Sequence, residues 1–216
     1  RTMPSLIDIR RRVRATKSTQ QITKAMKMVS SSKLRRAQER IVSNRPYAQE
    51  MLRVFNNLAT RVDPSAHPLL NVDPTPAKTL LVVITADRGL CGGFNSNVSK
   101  AVERHVRANP DGFEQIDLLL IGRKGNDYLK RRPGMSIFKV YENLLGTGQV
   151  SYAPASLVGK ELVALFESEQ YDAVFLAYNA FRSAISQEPR IVPLLPVVPP
   201  AADEAPAWEA ATKQAT

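Results

Sequence analysis

Apolar residues recur at helical spacing over the first sixty positions and as short unbroken runs after that. A heptad counted from Leu6 puts Leu6, Ile9, Val13, Leu34, Ala37, Ile41, Ala48, Met51, Phe55 and Leu58 on one seam, with Thr16, Gln20, Thr23, Lys27, Ser30 and Asn44 as polar interruptions. Through the middle the apolar stripe moves to Ile22, Ala25, Met26 and Val29, a two-residue register shift. No glycine precedes Gly89, and Pro46 is the single proline between Ser5 and Thr60. This pattern predicts one helix over Ser5–Thr60, opened by Pro4 and Ser5 with Asp8 at the positive end of its dipole. Pro46 is expected to kink or interrupt it near Ser43–Arg45. Straight, such a helix measures roughly 80 Å, more than any domain the rest of the chain can build. It is expected to project or to lie against something larger, with its seam serving a partner helix.

Asp63-Pro64, His67-Pro68 and Asp73-Pro74-Thr75-Pro76 mark a linker. Beyond it the period changes. Thr79–Thr85 and Ile116–Ile121 are short β-branched or leucine-rich runs of the kind that fill buried parallel strands. Ser136–Tyr141 and Asp172–Tyr178 read as a third and fourth strand. Ile191–Val198, broken by Pro193 and Pro196, suits an edge position. Helices are expected between them over Asn95–Val106, from Gly122 to about Arg132 and over Pro154–Glu169. Strands alternating with helices of this length define βαβ units and a mostly parallel, three-layer α/β domain. The divisions expected are residues 1–62 as the long helix, 63–77 as linker, 78–198 as the α/β domain, and 199–216 as a mobile tail or the start of a further helix.

Charge changes this picture more than composition does. The 216 residues carry a net charge of +10. Residues 1–62 hold 15 basic and 3 acidic side chains, so the whole excess sits on the helix. Between Arg10 and Arg40 only Glu39 opposes Arg10, Arg11, Arg12, Arg14, Lys17, Lys24, Lys27, Lys33, Arg35, Arg36 and Arg40. Intrahelical pairing cannot account for eleven cations. Either they form a solvated face of a coiled-coil arm, or they meet an acidic or phosphate surface. The longest aliphatic run, Leu80–Ile84, is far too short to cross a bilayer. One cysteine, Cys91, excludes an internal disulfide, and two histidines leave little for a metal site or a triad.

The densest chemistry follows the first strand, at Asp87-Arg88-Gly89-Leu90-Cys91-Gly92-Gly93-Phe94-Asn95. Glycine-rich turns before a helix hold phosphate in many α/β sheets, but this one lacks GxGxxG and any Gly-Lys-Ser/Thr. Two readings stay open. One is a tight turn whose glycines adopt positive φ; the other is a contact surface with Asp87 and Arg88 as paired exposed charges and Leu90 as an apolar tip. Cys91 has no histidine nearby in sequence to activate it. Gly122-Arg123-Lys124-Gly125 reads as a helix start with solvated charges. Catalysis by this chain alone finds no support.

Three stretches resemble the gamma subunit of F-type ATP synthases. They are Ser5–Arg12 with Thr19–Ser30 and Ser32–Gln38, continued by Arg45-Pro46-Tyr47; Thr85–Asn95; and Tyr178–Gln187 with Leu194-Leu195-Pro196. The resemblance implies a rotor: a long N-terminal coiled-coil helix in a ring of alpha and beta subunits, and a Rossmann-like α/β domain on the c-ring beside the epsilon subunit. It implies no catalytic residue, cofactor or metal of the chain's own. Met26, Lys27, Lys33, Arg35 and Arg36 would face acidic loops of the beta subunits, with Asp87, Arg88, Leu90 and Cys91 near the same loops. Tyr178, Asn179, Phe181 and Arg182 would lie at the foot, toward epsilon or the c-ring. A bacterial type is expected, peripheral on the cytoplasmic face of the inner membrane and held there only through the complex. The family's second long helix is not contained in these 216 residues; either the sequence is incomplete or this version lacks that helix. Two other classes remain: a nucleic-acid binder using the basic helix, which needs a sustained zipper and base-reading positions, and a nucleotide-binding α/β domain.

Overall fold

The computed structural model describes residues 5–59, 61–63, 67–73, 76–109, 111–144, 146, 151–183 and 186–197. The tail beyond 197, including the helix expected to begin after Pro199, lies outside them. The chain divides into two compact units, residues 1–57 and 58–216.

The first unit is a single helix, α1 (Leu6–Ala59). Its start is a capping box. The Ser5 hydroxyl accepts the Asp8 amide at 3.3 Å, and the Asp8 carboxylate accepts the Ser5 amide at 3.2 Å, so two amides with no helical partner are satisfied. Threonines in the body fold their hydroxyls back onto the preceding turn, Thr16 to Arg12 O at 2.9 Å and Thr19 to Ala15 O at 3.0 Å, which satisfies these polar groups within the helix. Pro46 does not interrupt it; helical structure runs unbroken through Ser43–Arg45 and on to Ala59. Losing one donor costs about 3 kcal/mol in a helix interior, and the strong formers on both sides, such as Ala48, Gln49 and Met51, carry the helix past it.

The second unit holds a five-stranded sheet in the order β3-β2-β1-β4-β5. Its elements are β1 (Lys78–Ile84), α2 (Phe94–Ala108), β2 (Gln115–Ile121), α3 (Arg123–Leu129), β3 (Ser136–Tyr141), α4 (Tyr152–Glu167), β4 (Ala173–Phe181) and β5 (Gln187–Leu195). β1 to β4 are parallel, and β5 returns antiparallel on β4. The side-chain period of two divides each central strand between two cores. Leu80 and Val82 of β1 and Leu119 and Ile121 of β2 join Val158, Leu162 and Phe166 of α4. Leu81 and Val83, with Leu118 and Leu120, join Val98 and Val102 of α2 and Leu129 of α3. Both faces are covered, which is why these strands read as continuous apolar runs rather than alternating ones.

Several boundaries differ from expectation. The helix after Gly122 ends at Leu129 rather than Arg132, and α4 begins at Tyr152, which places Pro154 in its first turn where the missing amide costs nothing. β4 runs on to Phe181, and the last strand starts at Gln187 rather than Ile191. Pro189 and Pro193 lie four apart and so share one parity, and β5 tolerates them because it is an edge. The stretch expected as a linker is packed. Pro68–Leu70 forms a short 3-10 turn, Leu69 lies against the α4 core, and its carbonyl accepts the Val197 amide at 2.7 Å.

Candidate interaction surface

On α1 all eleven cations from Arg10 to Arg40 are exposed. At about 100° per residue they occupy every side of the helix, so the charge is a sleeve rather than a stripe. The expected contact residues follow the same rule. Met26 and Lys33, seven apart, lie nearly in line, Lys27 and Arg36 stand to either side, and Arg35 falls nearly opposite Met26. Arg35 forms an ion pair with Glu39 at 2.9 Å, between two exposed side chains, and such a pair is worth little. Among the described residues the other ten cations have no carboxylate within ion-pair distance. Apolar side chains share this exposure: Ile9, Val13, Ile22, Met26 and Met51 are each about half exposed or more. A helix so built gains nothing from its own unit by carrying these groups.

The second surface is the end of the sheet where β1 to β4 finish. The chain travels from β1 outward through β2 to β3, and α4 then carries it back to β4 on the other side of β1. The loop after β1 therefore stands at the switch point of the sheet, where open α/β sheets place their binding groups. Thr85 anchors it. Its hydroxyl lies 3.1 Å from the Ile121 and Gly122 carbonyls and accepts the Gly125 amide at 2.9 Å. A β-carbon on Gly122, where φ is +101°, would sit 2.2 Å from the Thr85 carbonyl oxygen, so only glycine lets the second loop approach the first.

The contact-surface reading has Asp87 exposed and paired with Arg88. It is half-buried instead, and its Oδ1 accepts the Arg123 and Asn143 amides, each at 3.0 Å. Among the described residues no ion pair joins it to Arg88. The Asn95 side chain turns back to accept the Ala86 amide at 2.8 Å and to donate toward Arg88 O and the Cys91 sulfur. Arg88, Leu90 and Cys91 are left on the outside of this braced loop, with Leu90 95% exposed.

The residues expected at the foot prove to be neighbours of this loop. β1 and β4 run parallel in register from Thr79↔Ala173 to Val83↔Ala177, so their C-terminal ends share one edge. Asn179 donates to the Phe94 carbonyl at 2.8 Å, tying β4 directly to the start of α2. The two sets cannot be assigned to opposite ends of the unit. Tyr178, Asn179, Phe181 and Arg182 are all half-buried, and Arg182 pairs with Glu188 at 2.9 Å across the β4–β5 hairpin. The Arg182 hydrogen bond and then the Arg190 charge hold the Glu188 carboxyl below its usual range. Sequence reasoning missed Thr85, Gly122 and Asn143, and it named Asn179 only as a contact at the foot, not as the strut to Phe94. Only the two glycines of Gly122-Arg123-Lys124-Gly125 gave a signal, and they were read as a helix start. Among the described residues no group of three His, Cys, Asp or Glu side chains suits a metal ion, and no helix is long and apolar enough to cross a membrane.

An exposed, cationic helix and a cross-braced loop edge with an apolar tip describe a subunit built to meet other proteins. Comparison with known proteins agrees. A family profile described as ATP synthase matches residues 5–216. The ATP synthase gamma chain of Geobacter metallireducens is 48% identical over 197 residues, covering 91% of this chain and 67% of that one. That of Geotalea uraniireducens is 44% identical over 202 residues, covering 94% and 69%. The central stalk and c-ring structure of the Tetrahymena thermophila mitochondrial ATP synthase contains a chain with 32% identity and a TM-score of 0.57, over 81% of this chain and 72% of that one. A chain of the Euglena gracilis mitochondrial ATP synthase rotor, 21% identical, shares the fold with a TM-score of 0.60 over 86% and 61%. The chain belongs to the ATP synthase family and groups there with the gamma chains of bacteria.

Proposed function

We propose that this chain is a non-catalytic rotor subunit of the central stalk, coupling proton flow through the membrane sector to ATP synthesis in a ring of alpha and beta subunits. What carries the reading is α1, whose cations and apolar side chains are exposed on all sides and find almost no partner on their own helix. A shaft enclosed by a ring requires contacts all round, and a seam broken by Thr16, Gln20 and Thr23 resists locking in one position. In this reading residues 1–62 act as the shaft and 78–198 as the α/β domain. Met26, Lys27, Lys33, Arg35 and Arg36 meet acidic loops of the beta subunits, and Arg88, Leu90 and Cys91 reach the same subunits from the sheet edge. Tyr178, Phe181 and Arg182, on the adjoining hairpin, serve a neighbouring contact toward the epsilon subunit or c-ring, while Asn179 acts as a strut. The chain is peripheral to the cytoplasmic face of the bacterial inner membrane and is held there through the complex.

Co-purification tests the assembly: the chain is expected to come out with three alpha and three beta subunits. Reversing the charges of Lys27 and Arg36 together is expected to lower proton pumping per ATP hydrolysed. Coupling equal to wild type in that double variant refutes the charge-pairing account.

A further inference from the structure

The loop after β1 joins a clamp to a strained tip. Three separate connections meet on it. Asp87 Oδ1 holds the first amide of α3, at Arg123, and the Asn143 amide that follows β3. The Ala86 carbonyl accepts the Lys124 amide at 3.1 Å, and Thr85 accepts that of Gly125. The loops after β1, β2 and β3 are thereby sewn to one another through two side chains and one carbonyl.

Leu90 stands out against this. Its φ is +61°, in the left-handed region, where a residue with a bulky side chain is disfavoured. The other positive-φ residues with side chains, among those described, are two asparagines and one glutamate. Its side chain is 95% exposed, so the fold recovers none of the cost by burying it. Gly89 and Gly92 flank the site in open space, while the Asn95 side-chain amide, donating to Arg88 O and to the Cys91 sulfur, ties the two sides of the tip together. A strained, solvent-facing leucine held by a braced loop does its work outside the fold.

We infer that Asp87 is a positioning residue rather than a contact residue: its carboxylate clamps the three loops so that Leu90 is presented already in its bound conformation. The partner that fits is a protein surface with an apolar recess for Leu90 and a carboxylate for Arg88. This rests on the rotor reading, in which that surface belongs to the surrounding ring. Preorganisation spares the complex the entropy of ordering the tip at each encounter.

The test uses Asp87→Ala, Asp87→Asn, Leu90→Ala and Leu90→Gly in the assembled complex. Hydrogen exchange reports the Arg123 and Asn143 amides, and proton pumping per ATP hydrolysed reports coupling. Asp87→Ala is expected to speed exchange at both amides about tenfold or more and to lower coupling. Asp87→Asn, which keeps an oxygen acceptor but no charge, is expected to recover most of both. Leu90→Ala is expected to lower coupling with both amides still protected, and Leu90→Gly to lower coupling while raising the thermal midpoint of the free chain. Equal damage from Asp87→Asn and Asp87→Ala in coupling, with both amides protected, overturns the clamp in favour of a charge contact. Normal exchange in Asp87→Ala overturns it as well. Faster exchange with unchanged coupling in Asp87→Ala and Leu90→Ala overturns the presentation of Leu90, whereas failure of the wild-type chain to assemble with alpha and beta subunits overturns the rotor reading itself.

Discussion

Replacing Thr85 by valine tests whether one hydroxyl holds the loop edge together. The side chain is 5% exposed, and valine keeps its shape and its β-branch, so strand propensity and volume stay nearly constant. What is lost is chemical. The Gly125 amide loses its acceptor at 2.9 Å and the Gly122 carbonyl its donor at 3.1 Å, whereas the Ile121 carbonyl keeps the Thr85 amide at 2.8 Å. One buried donor without a partner costs about 1–3 kcal/mol. The methyl that replaces the hydroxyl would also sit closer to the Gly125 nitrogen than carbon packing allows, which brings the sum to about 2–4 kcal/mol. For a unit of this size that is a fall in melting temperature of roughly 5–15 °C. Urea and thermal unfolding followed by circular dichroism measure it directly. Thr85→Ser, which keeps the oxygen, is expected to restore more than half of the loss. A Thr85→Val chain within about 0.5 kcal/mol of wild type refutes the argument, because it would mean that Asp87, the Ala86 carbonyl and packing hold the loops without the hydroxyl.

Two further predictions concern polar groups between layers. Glu161 of α4 takes hydrogen bonds from Lys139, at 2.6 Å, and from Tyr141 on β3. Burial pushes its carboxyl up, but the bonds from Lys139 and Tyr141 outweigh that and hold it below the ordinary 4.5. Its contribution to stability is therefore full above pH 4.5 and is lost as the pH falls through the lowered folded value, so the stability gap between wild type and Glu161→Gln is expected to close in urea unfolding below that pH. Tyr171 donates to the buried Asp117 carboxylate at 2.9 Å, and Tyr171→Phe is expected to cost about 1–2 kcal/mol by leaving that carboxylate with Gln115 alone. Burial, then the Asp117 bond, pushes the Tyr171 hydroxyl above its ordinary 10.0, so this stabilisation holds below pH 10.0 and is lost as the pH rises. Ultraviolet titration is accordingly expected to show a late-ionising tyrosine that Tyr171→Phe removes.

Much of the architecture was legible because it rests on local signals. Thr79–Thr85 and Ile116–Ile121 announced buried strands by composition, and both became central strands with each face covered. The prolines of the last strand announced an edge, and β5 is one. What was misread lay where local and tertiary preferences disagree. Pro46 carries a breaking preference that the rest of α1 overrides. The ends of β4 and β5, from Asn179 to Phe181 and from Gln187 to Arg190, lack an apolar run, so their pairing was hidden; it rests on backbone hydrogen bonds, which nearly any side chain but proline permits.

The sequence by itself determined the helix, the alternation of strands with helices, the placing of the whole positive excess on the first 62 residues, and a resemblance specific enough to name a family. Each depends on residues near one another in the chain. Tertiary structure alone decided which polar groups hold the loop edge and which are left to face a partner. Asp87 looks like a surface charge until Arg123 and Asn143, 36 and 56 residues further on, bring their amides to it. Tyr178–Arg182 and Asp87–Cys91 lie far apart in the chain, and only the pairing of β4 beside β1 brings them to one edge. Contact between distant residues is set by how strands are ordered in the sheet, and that order comes from packing helices on both of its faces, which no local pattern contains.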